Sequence, residues 1–165
     1  AQVAHVRAAV AGAGRLISSP LGRARETAAA LGLGLPVEID ERWTEIDYGT
    51  LEGRTLGDVP PDTWRRWRAD LSFRPAGGET LVELGVRVRS ACDELFSEDG
   101  AGARAPKDVV VVSHVSPIKA AVAWALDAGD DLAWRLYLST ASVTTVAWGG
   151  DRPVLRAYNG TGPPP

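Results

Sequence analysis

The spacing of apolar positions changes several times along the 165 residues, and each change marks an element. Residues 1 to 11, "AQVAHVRAAVA", are spaced as a helix and are closed by Gly12 and Gly14. "RLIS" is short and β-compatible. "PLGRARETAAAL" predicts a helix with Pro20 in the favoured first position, ended by Gly32 and Gly34. "LPVEI" is a second strand candidate, and Asp40 to Pro61 is irregular. "PDTWRRWRADL" predicts a short helix. "PAGGET" is a turn before a long helix with apolar residues at Leu81, Leu84, Val88, Cys92 and Leu95. "EDGAGARAPK" reads as a surface loop. "DVVVVSH" is a continuous β-branched run that suits a strand buried on both faces. "SPIKAAVAWAL" is the next helix. "WRLYLS", "SVTTVAW" and "PVLRAYN" read as strands, the last two joined by "GGDR", and residues 160–165 as a disordered tail. Alternating helices and strands give an α/β class: a three-layer α/β/α sandwich with a mostly parallel central sheet, in one domain over residues 1–159.

Composition narrows the picture. Hydrophobic content of 45% and charged content of 24% are ordinary for a globular protein. A net charge of -3 argues against general nucleic-acid binding. The single cysteine, Cys92, excludes an internal disulfide framework, so a cytoplasmic location is expected. No apolar run approaches the roughly 18 residues of a membrane span, and no signal peptide is visible, so no membrane partner is expected. The sequence has no methionine and opens inside an uncapped helix, which gives the expectation that Ala1 is not the biological start.

Two junctions share one plan. "ISSPLGRA" and "SHVSPIKA" each run from an apolar strand into Ser-Pro, an aliphatic residue, a cation and alanine. Serine is expected to cap each helix, with proline in its first position. Both lie at the carboxyl end of a strand, where open α/β sheets bind ligands, and each offers free N–H groups and a positive dipole end. Cations added there repel one another unless an anion comes between them. Arg23 and Arg25 lie about 200° apart around the helix, so only one faces the site, and Arg25 is expected at the surface. His114 follows "VVVVS" where the strand emerges, and is taken as functional. His5 is expected to serve packing or the surface. In "ERWTEIDYGTLEG" an extended chain points Glu45 and Asp47 the same way, and either carboxylate suits proton transfer to a leaving oxygen. Gly49 and Gly53 allow a bend near a ligand. In "WRRWR" Trp64 and Trp67 are expected on the core, with the arginines in water.

"SSPLGRARETA", "TEIDYGTLEG", "PAGGET" and "VVVVSHVSPIKA", taken in order, resemble the histidine phosphatase superfamily, the branch containing phosphoglycerate mutases and many small phosphatases. The later half, with "SHVSPIKAAVAWALDAG" and "STASV", is similar to the α-ribazole phosphatase-like group and to the phosphatase domain that follows a ribonuclease H domain in some actinobacterial proteins. The resemblance implies a metal-independent phosphomonoesterase that works through phosphohistidine on a small phosphorylated metabolite, without cofactors. It implies Arg23 as the pocket arginine, Glu45 rather than Asp47 as proton donor, and His114 as a donor to phosphate oxygens. It also implies that Arg23, His114 and Val115 line the substrate. Val115 replaces the family's usual glycine and narrows the backbone choices there. The family's Arg-His-Gly, with the nucleophile, does not occur in the 165 residues and is expected roughly 30 to 40 residues upstream by ordinary element lengths. The resemblance leaves room for a homodimer and for an upstream fused domain. Its alternatives are a mutase and a phosphate-binding pseudo-enzyme.

Overall fold

The computed structural model describes residues 2–55, 57–97 and 108–162. The loop expected at 98–107 and the last three residues of the expected tail lie outside that range. Helix α1 (Gln2–Ala9) leads into strand β1 (Arg15–Ser18), whose residues Leu16 and Ile17 are both 2% exposed although they point to opposite faces. Each face therefore meets its own apolar layer. Leu16 packs with Ala28 and Leu31 of α2 (Gly22–Leu31). Ile17 packs with Leu84, Val88 and Cys92 of α4 (Leu81–Phe96) and Ala120 of α5 (Val115–Ala125). Helices on both faces of a parallel sheet make the expected three layers.

The sheet order is β2 (Val37–Ile39), β1, β3 (Val109–Val112), all parallel, with Ser18 in register with Ile39 and Val112. Strands β4 (Val143–Trp148) and β5 (Pro153–Gly160) form a separate antiparallel hairpin, closed by a bond from Gly149 N–H to the Arg152 carbonyl. Strand β5 thus reaches one residue into the expected tail. The valines of β3 are half-buried rather than buried on both faces, because among the described residues the strand has one partner and its other edge is open.

Two further expectations are corrected. "WRLYLS" is no strand: residues Asp130–Arg135 form a 3₁₀ turn whose Trp134 packs edge-on against Trp67. The Ser-Pro corners also differ from the expected plan. Helix α2 starts two residues after Pro20, with Leu21 at its N-cap and no side-chain cap. Helix α5 starts two residues before Pro117, with His114 at its N-cap. Both serines are drawn to other partners. Helix α3 (Pro61–Ala69) buries Trp67, 1% exposed, while Arg65 pairs with Asp62 and Arg66 lies over Phe73. The long helix α4 begins with a full capping box between Thr80 and Glu83. His5 is a satisfied packing residue, its Nε2 2.7 Å from the Ala141 carbonyl oxygen.

Candidate active site

Parallel pairing of β1 and β3 ends both strands on one level, and the chain just beyond each turns into the site. Ser19 N–H donates to the Val112 carbonyl, which ties the two exits together. From there Arg23, on the first turn of α2, donates its Nε–H to Nδ1 of His114 at 3.1 Å. A guanidinium only donates, so Nδ1 is the accepting nitrogen and the ring proton sits on Nε2. That proton points at Ser19 Oγ, 2.8 Å away, and the same oxygen accepts from Leu21 N–H. Ser19 is completely buried. This is why it does not cap its helix: its hydroxyl serves the histidine.

His114 has an ordinary partner set and an unusual electrostatic setting. Burial, then the nearby Arg23 charge, push its pKa below the usual histidine value, while Glu45 pulls the other way.

Glu45 arrives from the irregular segment. Asp40 caps the 3₁₀ turn at Glu41–Trp43 by accepting from Arg42 N–H. Ser113 Oγ–H donates to the Trp43 carbonyl at 2.7 Å, fixing this loop to the end of β3. Glu45 Oε1 then accepts from its neighbour Ile46 N–H at 2.9 Å and from Ser116 N–H, a free amide of the α5 terminus, at 3.1 Å. Among the described residues no bond engages Oε2. Asp47, by contrast, is exposed and accepts from Gly49 N–H within its own loop. The local geometry thus separates the two carboxylates that the sequence left equivalent.

Arg87 on α4 is a site residue that the sequence did not reveal. It makes a two-pronged ion pair with Glu79, at 2.7 and 2.9 Å, and donates to the Arg42 carbonyl at 2.6 Å. A longer contact of 3.5 Å reaches the Glu45 carbonyl. No spacing rule marks a helix arginine for a loop 42 residues earlier; only the fold does so. "PAGGET" lies beside the same loop: Glu79 N–H donates to the Asp47 carbonyl at 2.8 Å. A Cβ on Gly78 would stand 2.5 Å from that oxygen, and one on Gly49 would stand 2.2 Å from the Ala76 carbonyl oxygen. Gly49 thus serves contact between loops rather than a ligand.

Val115 is 42% exposed and, with Ser116, borders a cavity of about 620 Å³ that opens beside the Arg23–His114 corner. Tyr48, Trp64, Trp67 and Trp134 supply most of its aromatic wall. Burial, with the Glu45 charge next, raises the Tyr48 phenol above its usual pKa. Among the described residues no three His, Cys, Asp or Glu side chains gather as a metal site, and no helix is long and apolar enough to cross a membrane.

Comparison with known proteins gives the following. Residues 1–161 match the family model of the histidine phosphatase superfamily (branch 1). A bifunctional protein of Mycobacterium tuberculosis is 39% identical over 158 residues, covering 92% of this chain and 42% of its own length. The chain therefore spans less than half of that curated relative. The solved structure of a mycobacterial glucosyl-3-phosphoglycerate phosphatase superposes with a TM-score of 0.79 at 30% identity, over 96% of this chain and 85% of that one. A phosphoserine phosphatase from Entamoeba histolytica, 24% identical, shares the fold with a TM-score of 0.83 over 97% of this chain and 81% of its own.

Proposed function

The chain belongs to the histidine phosphatase superfamily, and from that membership we propose that it is the phosphoryl-binding part of a metal-independent phosphomonoesterase acting on a small phosphorylated metabolite. The observation that carries this reading is the Arg23–His114 contact of 3.1 Å at a helix N-terminus, with the Glu45 carboxylate brought in from its loop to the Ser116 N–H, two residues beyond His114. Arg23 brings a permanent cation and His114 an imidazole to the carboxyl end of a parallel sheet, beside the N–H groups of a helix terminus. The mycobacterial glucosyl-3-phosphoglycerate phosphatase with the same fold supports a monoester substrate.

The nucleophile is a histidine from an Arg-His-Gly segment, which the 165 residues do not contain. The open edge of β3 offers it a place, because a parallel strand paired there would end beside His114. Its imidazole nitrogen attacks phosphorus as the ester P–O bond breaks. Arg23 and His114 hold the equatorial oxygens, His114 by donating Nδ1–H once Arg23 turns to the phosphoryl group and Ser19 donates to Nε2, and Glu45 Oε2 delivers a proton to the departing alkoxide. Water then attacks the phosphohistidine, gives its proton to Glu45, and releases inorganic phosphate. Ser19 adapts to this cycle, since its hydroxyl can accept from Nε2–H or donate to a bare Nε2.

The test is hydrolysis of p-nitrophenyl phosphate by the natural full-length protein in the presence of EDTA. Activity should persist with the chelator and fall by roughly 10²- to 10⁴-fold in His114→Ala, as for loss of a preorganised transition-state donor. Activity within a few-fold of wild type in that variant overturns the role of His114.

A further inference from the structure

The cavity beside the site is built for something more particular than a small polar alcohol. Tyr48, Val59, Trp64 and Trp134 give it a flat, largely apolar wall. Three cations also line it, Arg65, which is paired with Asp62 outside the cavity, Arg68 and Lys119, and among the described residues no carboxylate lines it.

Two of the cations touch neighbouring residues of the wall. Lys119 Nζ donates to the Ala133 carbonyl at 3.1 Å, and the Arg68 guanidinium lies 5.8 Å from the centre of the neighbouring Trp134 ring. Lys119 is half-buried and forms no ion pair among the described residues. An ammonium in apolar surroundings with one carbonyl partner is costly unless an anion joins it. Burial accordingly holds its pKa below the usual lysine value, with the Glu45 charge only partly offsetting it. Val115 and Ser116 also border the cavity, one helical turn from Lys119 and next to His114.

We infer that the substrate is the phosphate monoester of a hydroxy acid with a flat apolar body: the phosphoryl group sits at Arg23 and His114, the body lies on Trp64 and Tyr48, and a carboxylate reaches Lys119. The inference rests on the proposed phosphatase reading for its phosphoryl end. The carboxylate end stands on the cavity itself.

The experiment compares the phosphate esters of 4-(2-hydroxyethyl)benzoate and of its methyl ester, which share one leaving alkoxide and differ in charge at the far end. The full-length protein should favour the carboxylate in kcat/KM by about tenfold, the worth of one partly buried charged contact. The preference should collapse to near unity in Lys119→Met and return in Lys119→Arg. Binding of the two phosphate-free alcohols, read by tryptophan fluorescence, should show the same order without any catalysis. If neither ester nor p-nitrophenyl phosphate is hydrolysed while the carboxylate alcohol still binds better through Lys119, the phosphatase reading falls and the cavity inference stands. Equal binding of the two alcohols, or a preference that survives Lys119→Met, overturns the inference.

Discussion

Arg23 holds Nδ1 of His114 at 3.1 Å across 91 positions of sequence. The bond joins a permanent cation to an imidazole, so it persists only while the ring is neutral.

That relationship is measurable by NMR, with the His114 resonance assigned by its loss in His114→Asn. His114 should titrate below the ordinary 6.5, chiefly through burial and next through Arg23. Arg23→Gln should raise the value only in part, since burial remains. Inorganic phosphate should raise it further, by accepting from the ring and neutralising Arg23. The linked stability has a definite sign. A depressed folded pKa means the unfolded chain binds the proton first, so this contribution is complete above 6.5 and is lost as pH falls through 6.5 toward the folded value. Thermal melts of wild type and His114→Asn should therefore converge in pH dependence above 6.5 and diverge below it. A His114 resonance unmoved by phosphate would sink the assignment.

Glu45 and Asp47 are separated by how much the leaving group needs a proton. Nitrophenolate leaves without help, whereas an alkoxide does not. Glu45→Gln should slow an alkyl phosphate by roughly 10²- to 10⁴-fold, the usual scale of general acid catalysis, and p-nitrophenyl phosphate far less. Asp47→Asn should leave both within a few-fold, because Asp47 only bonds its own loop. An equal loss on the two substrates for Glu45→Gln would remove it as the acid.

Much of the fold and half of the site were legible because they rest on local chemistry. The strand-to-helix corners announced themselves through an apolar run followed by small residues and a cation, and they carry Arg23 and His114 to one place. The helix over 81–96 was marked by its apolar spacing, while its Thr80–Glu83 box came to light in the structure. What stayed hidden depends on distant chain. Ser19 reads as a cap until His114 claims its hydroxyl at 2.8 Å. Residues 134–139 have strand composition, yet Trp134 is held in a 3₁₀ turn by its contact with Trp67. Lys119 is one more helix cation until the cavity around it is seen.

Arg87 should act as a positioning residue for the proton donor. Its pair with Glu79 is well covered, with side chains 21% and 18% exposed, and it also holds the Arg42 carbonyl. Arg87→Met leaves Glu79 without its partner and should cost about 1–3 kcal/mol of stability. It should also lower kcat about tenfold on alkyl phosphates through a displaced Glu45, with a smaller change in KM. Arg87→Lys keeps the charge but not the fork, and should restore part of the stability and little of kcat. A stability loss with kcat intact would reduce Arg87 to a structural pair.

Gly78 tests whether the 47–49 and 76–79 loops must touch. Its added Cβ would meet the Asp47 carbonyl oxygen at 2.5 Å and Gly49 N at 2.9 Å, both backbone atoms that cannot swing aside. Gly78→Ala should therefore part the loops, break the Glu79 N–H bond to Asp47, and cost roughly 1–3 kcal/mol as overpacking does. Because Glu79 anchors Arg87, activity should fall alongside stability. Gly53→Ala is the contrast: its φ of +73 makes the substitution strained, but nothing lies within 4 Å of the new Cβ. That variant should lose about 1–2 kcal/mol from the left-handed backbone alone and keep its activity at temperatures where it is folded. Parallel melting curves and initial rates on the two variants check the distinction, and equal loss of activity in both would show that the loop contact is not what holds Glu45.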